Sequence, residues 1–304
     1  MSDMNLKQRG YRTGDFMAVR NMLVESFAES GNLGNWLIDR WNFCRMVSHT
    51  MHDTYDSWEQ TVGIWEDEDG FIAGVVNSEG ENRGEAFFQV RTPLTASTLE
   101  EMFAFAELTL PLQDKDQRVL RLRIPAGDTL REAIAYERGY TKLGWEDPLS
   151  VLALEHVDRP VLPEGFHVKA GIEVTPEAKA LAHAKAFGYY AVTEDRTWPL
   201  AFQRMKEAPD YRAELDLSVV DASGEVVSFC TLWYDPVNRH GILEPVGTIP
   251  EARLKGLGRA VIWEGLHRLS EYGAEKVYVG STMAFYKKLG FVPAFTSYVW
   301  EKRL

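Results

Sequence analysis

From Glu244 to Ala260 the chain reads Glu244-Pro245-Val246-Gly247-Thr248-Ile249-Pro250-Glu251-Ala252-Arg253-Leu254-Lys255-Gly256-Leu257-Gly258-Arg259-Ala260. A strand-like run leads in. A helix leaves, because Val261, Ile262, Gly265, Leu266, Leu269 and Tyr272 recur at three- and four-residue steps before Gly273 supplies a stop. A glycine-rich turn at such a junction leaves several main-chain N–H groups without helical partners, and the helix dipole adds partial positive charge there. Together these make an anion site. Gly256 and Gly258 remove side chains that would block close approach, and Arg253, Lys255 and Arg259 add charge. The loop suits a pyrophosphate, although the same pattern also fits a ligand-free strand-to-helix turn. It lacks the Walker spacing that ends in Gly-Lys-Ser/Thr, and it lacks the third glycine of a dinucleotide fingerprint.

The elements that must position this loop repeat along the chain. Two prolines and a glycine at Pro160, Pro163 and Gly165 interrupt the patterning and predict a linker over 158–165. This divides the chain into a first domain over 1–157 and a second over 166–304. Each half predicts a helix near its start, Asp15 to Phe27 and Pro176 to Phe187, the latter with Thr175 as N-cap. Each then predicts a hairpin, a further strand (Glu85 to Val90; Gly241 to Thr248), a long helix (Thr98 to Leu108; Arg259 to Tyr272) and an apolar strand (Arg118 to Ile124; Lys276 to Val279). Each closes with a short helix, a glycine (Gly139; Gly290) and a last strand. The order reads as a duplicated α/β unit of about 150 residues.

Arg-x-x-Gly-x-Gly after a strand and opening a helix resembles motif A of the GCN5-related N-acetyltransferase (GNAT) superfamily. The downstream Ala284-Phe285-Tyr286-Lys287-Lys288-Leu289-Gly290-Phe291 resembles its motif B. The resemblance is sharp from Leu215 to Lys302, and the layout resembles tandem-domain members. It implies an α/β (α+β) fold of two tandem GNAT-like domains, each a mixed, mostly antiparallel sheet flanked by helices. It also implies acetyl-CoA held where two neighbouring strands splay. Val246, Gly247 and Thr248 would lie along the pantetheine arm. Arg253, Leu254, Lys255, Gly256, Leu257, Gly258, Arg259 and Ala260 would surround the pyrophosphate, with main-chain N–H groups from Leu254 to Ala260 holding it. The asparagine often found before motif B is missing, because Gly280 runs through Ser281, Thr282 and Met283 directly to Ala284.

Direct acyl transfer needs a base for the amine, a polarised carbonyl and an acid for the departing thiolate. Tyr286 matches the motif B tyrosine that serves as the acid in many members. Glu244 lies on the motif A strand, where members often carry a glutamate, and is the candidate base. Period-two alternation puts it on one face with Val246 and Thr248. Asp235 and His240 are reserve candidates. Phe187, Tyr189, Tyr190, Trp198, Trp233 and Tyr234 are candidate acceptor-pocket residues, though aromatic residues at this density usually pack in a core. In the first half the corresponding stretch, from Arg91 to Glu100, has no glycine pair, and Ser97 or Thr98 reads as a helix cap. That copy is therefore expected to be degenerate, without a cofactor loop.

Composition narrows the function. A net charge of −12 with dispersed acids disfavours a nucleic-acid footprint and is compatible with an amine substrate. No apolar run approaches a membrane span, and the N-terminus carries no signal-peptide core. Cys44 and Cys230 read as buried free thiols of a cytoplasmic protein, with a disulfide between them as the alternative, and no metal-ligand spacing occurs. The expected protein is a cytoplasmic acetyl-CoA-dependent N-acetyltransferase, monomer or homodimer, acting on a small-molecule or peptide primary amine. The alternative is a non-catalytic acyl-CoA-binding regulatory module.

Overall fold

A computed structural model describes residues 5–48, 50, 58–80, 84–91, 93–155, 157–189 and 197–304. The chain divides into two units, Met1–Pro148 with Phe295–Leu304, and Leu149–Ala294. The irregular stretch over 158–165 is present, but the division falls earlier, inside a strand, and again near the C-terminus. The expected domains over 1–157 and 166–304 therefore differ from the observed units by two strand segments.

In the first unit the strands are β1 (Lys7–Gly10), β2 (Gly63–Glu66), β3 (Ile72–Asn77), β4 (Glu85–Val90), β5 (Leu112–Asp114) and β6 (Gln117–Pro125). β1 to β4 form an antiparallel meander. β4 then pairs with β6 in parallel, and only at Glu85–Arg121 and Ala86–Leu122. The crossover between them carries helix α3 (Ala96–Thr109), and α1 (Asp15–Ser30) and α2 (Ile38–Phe43) lie between β1 and β2. α4 (Thr129–Glu137) leads to the long strand β7 (Thr141–Ala153).

The second unit repeats this order. Its strands are β8 (His167–Ala170), β9 (Asp216–Val220), β10 (Val226–Asp235), β11 (His240–Thr248) and β12 (Lys276–Val279). β8 to β11 are an antiparallel meander, and β11 pairs with β12 in parallel. α5 (Pro176–Phe187) and α6 (Thr197–Met205) precede the meander's later strands. α7 (Leu257–Glu271) makes the crossover, and α8 (Ala284–Lys288) leads to the last strand, β13 (Val292–Arg303).

The closing strands are exchanged along the sequence. Ser150 to Ala153 of β7 pair with Val279 to Lys276 and complete the second unit. Ser297 to Arg303 of β13 pair with Pro125 to Val119 and complete the first. Each unit is therefore finished by a strand from the other half of the chain.

The alternating strands pack helices on both faces. In the first unit one core gathers Phe88, Leu120 and Leu122 with Met102, Phe103 and Ile134, and the other gathers Ile64, Val75 and Phe87 with Phe16, Val19 and Trp41. In the second unit α7 lies so close to β10 that a Cβ on Gly265 would come within 2.3 Å of Leu232 Cδ1. Helix α5 begins on its expected cap, since the Thr175 hydroxyl accepts from the Ala178 N–H at 3.2 Å. In α3 the cap is Thr95, which accepts from the Thr98 N–H at 3.2 Å, rather than Ser97 or Thr98.

Candidate active site

The glycine-rich loop takes the form its residues allow. After β11 a single 3₁₀ turn, Pro250–Ala252, directs the chain outward, and Gly256 caps α7 in the left-handed region at φ 80°. A Cβ at Gly256 would meet nothing within 4 Å, so that face of the loop is open. Leu254 is also left-handed, at φ 62°, and is fully exposed. The Arg253 N–H donates to Pro250 O, and the next main-chain donor used in the loop is Ala260 N–H, to Gly256 O at 3.0 Å. Among the described residues, the N–H groups from Leu254 to Arg259 have no partner and form an open donor array. The Ala260 N–H is already spent within the helix and drops out of the expected set.

Three further expectations at this loop are corrected. The Arg253 side chain does not extend toward the open face. Its Nε donates to Thr248 O at 3.2 Å and its Nη2 to Ala186 O at 2.9 Å, so it ties the loop to β11 and α5. Gly258 is small because of the strand behind it, where a Cβ would approach Thr248 Oγ1 to 3.1 Å. Gly247 is a packing glycine, since a Cβ there would fall 2.4 Å from Phe229 Cζ and 3.0 Å from Ala186 Cβ. Lys255 and Arg259 remain exposed beside the donor array.

The splay expected between neighbouring strands is present. β11 pairs with β12 only from His240–Lys276 to Ile242–Tyr278. Beyond that, β11 stays paired with β10 alone, through Cys230–Val246, Phe229–Gly247 and Ser228–Thr248. The Ile249 N–H donates to Val227 O at 3.0 Å. By the alternation of an antiparallel ladder, Gly247 also turns its polar groups toward β10, and Val246 and Thr248 turn theirs into the splay. The Thr248 carbonyl is taken by Arg253. Val246 offers both its N–H and its C=O.

Glu244 and Tyr286 converge on this splay. A Cβ at Gly280, just past β12, would lie 4.0 Å from Glu244 Oε2, so the carboxylate reaches across from β11. Glu244 is exposed, and its carbonyl accepts from Trp233 Nε1 at 3.0 Å. Tyr286 is half-buried on α8, with its ring packed edge-on against Phe285 and Phe291. Burial first, and then the nearby Glu244 charge, push its phenol up to about 12. The period-two argument for Glu244 fails, however. Leu243 and Val246 face Leu232 and Cys230, so one extra residue sits at Glu244–Pro245 and breaks the alternation.

The reserve candidates lie elsewhere. Asp235 and His240 are buried at the closed hairpin end of β11. Asp235 accepts from the Val237 and Asn238 N–H groups and shapes the turn. Burial, against the Asp235 carboxylate, pushes His240 down to about 4.

Of the aromatic set, Trp233 and Tyr234 are core, and the Tyr234 hydroxyl donates to Tyr272 O at 2.9 Å. Phe187 is more than half exposed, at the end of α5. Tyr190 lies outside the described residues, as does the side chain of Trp198. Tyr189 is half-buried and its hydroxyl bonds to His183 Nδ1, a residue that sequence reasoning missed. His183 stacks near Phe229, and burial, with Lys179 nearby, pushes it down to about 3, which keeps it neutral. Beneath it Lys179 Nζ pairs with Asp216 at 2.8 Å, and Asp216 also accepts from Tyr211 and Thr231. No local pattern marks these partners, because they come together from α5, β9 and β10. Cys44 and Cys230 are free and buried.

The first unit has a matching splay with different contents. β4 leaves β6 after Ala86, and the loop before α2 folds back over the free edge. There Asn35 Nδ2 donates to Val90 O at 2.8 Å, and the Val90 N–H donates to Asn35 Oδ1 at 2.7 Å. Val90 stands opposite Gly74 on β3, while the Arg91 N–H turns to Ala73 O, so the groups Asn35 takes are those aimed away from β3. The edge that Val246 leaves open is filled here by the chain itself.

The sequence pattern of the acetyltransferase (GNAT) family matches residues 179–291. No curated protein matches the chain in sequence. Among solved structures, a GCN5-related N-acetyltransferase from Sphaerobacter thermophilus is similar over 98% of this chain and 95% of its own, with TM-score 0.61 and 16% identity. A tandem GNAT protein from the clavulanic acid biosynthesis pathway is similar over 98% of both chains, with TM-score 0.65 and 14% identity. The segment carrying the open loop thus matches the GNAT acetyltransferase pattern, and the whole chain has the fold of a tandem GNAT protein. Among the described residues, no helix is long and apolar enough to cross a membrane.

Proposed function

We propose that this chain is an acetyl-CoA-dependent N-acetyltransferase, with one working site in the second unit and a primary amine as acceptor. The observation that carries the reading is the conjunction of the open Val246 edge with the unpartnered N–H array from Leu254 to Arg259. One takes an amide-bearing arm and the other a diphosphate, at the two ends of one short stretch of chain. The open face at Gly256 and the exposed Lys255 and Arg259 fit the same ligand. Bound there, acetyl-CoA would supply an activated acetyl group.

The chain's own residues supply the proton handling. Glu244 is exposed at the splay and accepts a proton from the incoming ammonium, directly or through water. Tyr286 holds its proton firmly because burial and the Glu244 charge disfavour the phenolate, and it delivers that proton to a developing sulfur anion. The Val246 N–H is positioned on the same edge as a donor for carbonyl oxygen.

The test is a primary-amine panel with acetyl-CoA, scored by free thiol. Turnover with at least one amine, lost in Tyr286→Phe and Glu244→Gln, is the expected result. One equivalent of CoA bound with no thiol release from any amine would favour the regulatory module instead. Failure of any CoA species to bind would end the reading.

A further inference from the structure

Two segments that border the splay depart from the rest of the chain in charge. The protein carries −12 overall, yet from Lys276 to Trp300 there is no acidic residue, and none from Ala252 to Trp263. Lys255 and Arg259 on the loop side, and Lys287 and Lys288 on α8, are all exposed. Among the described residues none of these cations has a carboxylate partner. The two segments adjoin, since a Cβ at Gly258 would lie 3.7 Å from Phe285 Cζ. The same loop, the residue before α8 and the start of β13 also carry exposed apolar side chains. Leu254 is fully exposed, Met283 is 65% exposed and Val292 is 57% exposed. Leu254 is held outward by a left-handed backbone that a leucine adopts at a cost of roughly 1 kcal/mol.

A diphosphate needs the loop amides and the cations beside them. The 3′-phosphate of CoA calls for a further cation, but neither phosphate group calls for exposed apolar side chains in water. Exposed methionine and leucine on the same segments as cations without carboxylate partners are features of a protein-docking surface, and here the complementary partner is acidic. The loop and α8 both border the splay, since Gly258 lies beside Phe285 and Tyr286 feels the Glu244 charge.

We propose that this surface docks an acidic acyl carrier protein, whose phosphopantetheine thioester enters the splay as the acyl donor. The proposal rests on the acetyltransferase reading and specifies its donor. In the reaction the C–S bond to the carrier's phosphopantetheine sulfur breaks and an amide C–N bond forms. The amine gives up one proton and the carrier thiol regains one, so no further reactant is needed.

The experiment uses the full chain with one accepted amine and two donors in parallel, acetyl-CoA and acetylated carrier protein. The carrier donor is expected to be used with the lower KM, and that KM is expected to rise with salt. Lys287→Glu with Lys288→Glu is expected to raise the carrier KM at least about tenfold while moving the acetyl-CoA KM less than about threefold. Circular dichroism of the variant confirms that it folds. Turnover of acetyl-CoA without turnover of the carrier donor overturns the proposal and leaves the acetyltransferase reading intact. So does an equal rise in both KM values, or retention of the protein on anionic phospholipid vesicles in preference to the carrier. Turnover of neither donor removes both readings.

Discussion

Asn35 bonds both main-chain polar atoms of Val90, at 2.8 Å and 2.7 Å, and so occupies the strand edge of the first unit that its counterpart, Val246, leaves open in the second. An asparagine amide reproduces the donor–acceptor pair of a peptide group. A thioester arm in the first unit would have to displace it.

Asn35→Ala is therefore expected to destabilise the first unit without creating a cofactor site. The part-buried Val90 groups would lose their partners, at about 1–3 kcal/mol each where water does not replace them. Urea denaturation should report the loss, and calorimetry should still count one equivalent of CoA. A second equivalent would show that the edge was merely latched.

Gly256→Val probes the donor loop. The side chain meets open space, so the change acts through the left-handed backbone at φ 80°, which a β-branched residue resists. CoA affinity is expected to fall more than tenfold, by an estimate of about 2 kcal/mol in binding, with the fold intact by circular dichroism. Gly258→Val strikes Thr248 Oγ1 and should displace the start of α7, costing stability as well. Undiminished CoA binding in both variants would remove the loop from the cofactor site.

Tyr286 sets a pH expectation. Its phenol lies at about 12 rather than 10, so the protonated, donating form persists through the ordinary alkaline range. Turnover should show no loss assignable to this residue below pH 10 and should decline only as pH rises toward 12. Tyr286→Phe is expected to lower kcat by about two orders of magnitude with little change in KM. A downturn near pH 9 that disappears in the phenylalanine variant would contradict the assignment.

Removal of residues 295–304 is expected to damage the first unit, although the deletion lies at the end of the second half of the sequence. Those residues supply Ser297 to Arg303, the strand that pairs with β6. Limited proteolysis of the truncated chain should cut within residues 5–148 first. Equal protection of that region before and after truncation would argue against the exchange.

The local parts were legible. The α5 helix runs from Pro176 to Phe187 as its cap and proline predict, and the glycine-rich turn stands where its spacing places it. What stayed hidden depends on partners distant in sequence. Nothing in Thr141–Ala153 or Val292–Arg303 says which neighbour each strand will take, because alternation fixes a face and not a partner. The roles of Arg253 and Gly247 depend on Ala186, which arrives from α5. The face of Glu244 was misjudged because one additional residue in β11 defeats a period-two count.

The traded closing strands bear on how such a chain can change over generations. Neither half can be discarded as surplus, because the surviving copy would lose its final β-segment along with the deleted one. The first copy can therefore lack the glycine pair and carry the Asn35 plug while its strands are still required for the whole. Inheritance of one unit is thereby bound to that of its companion.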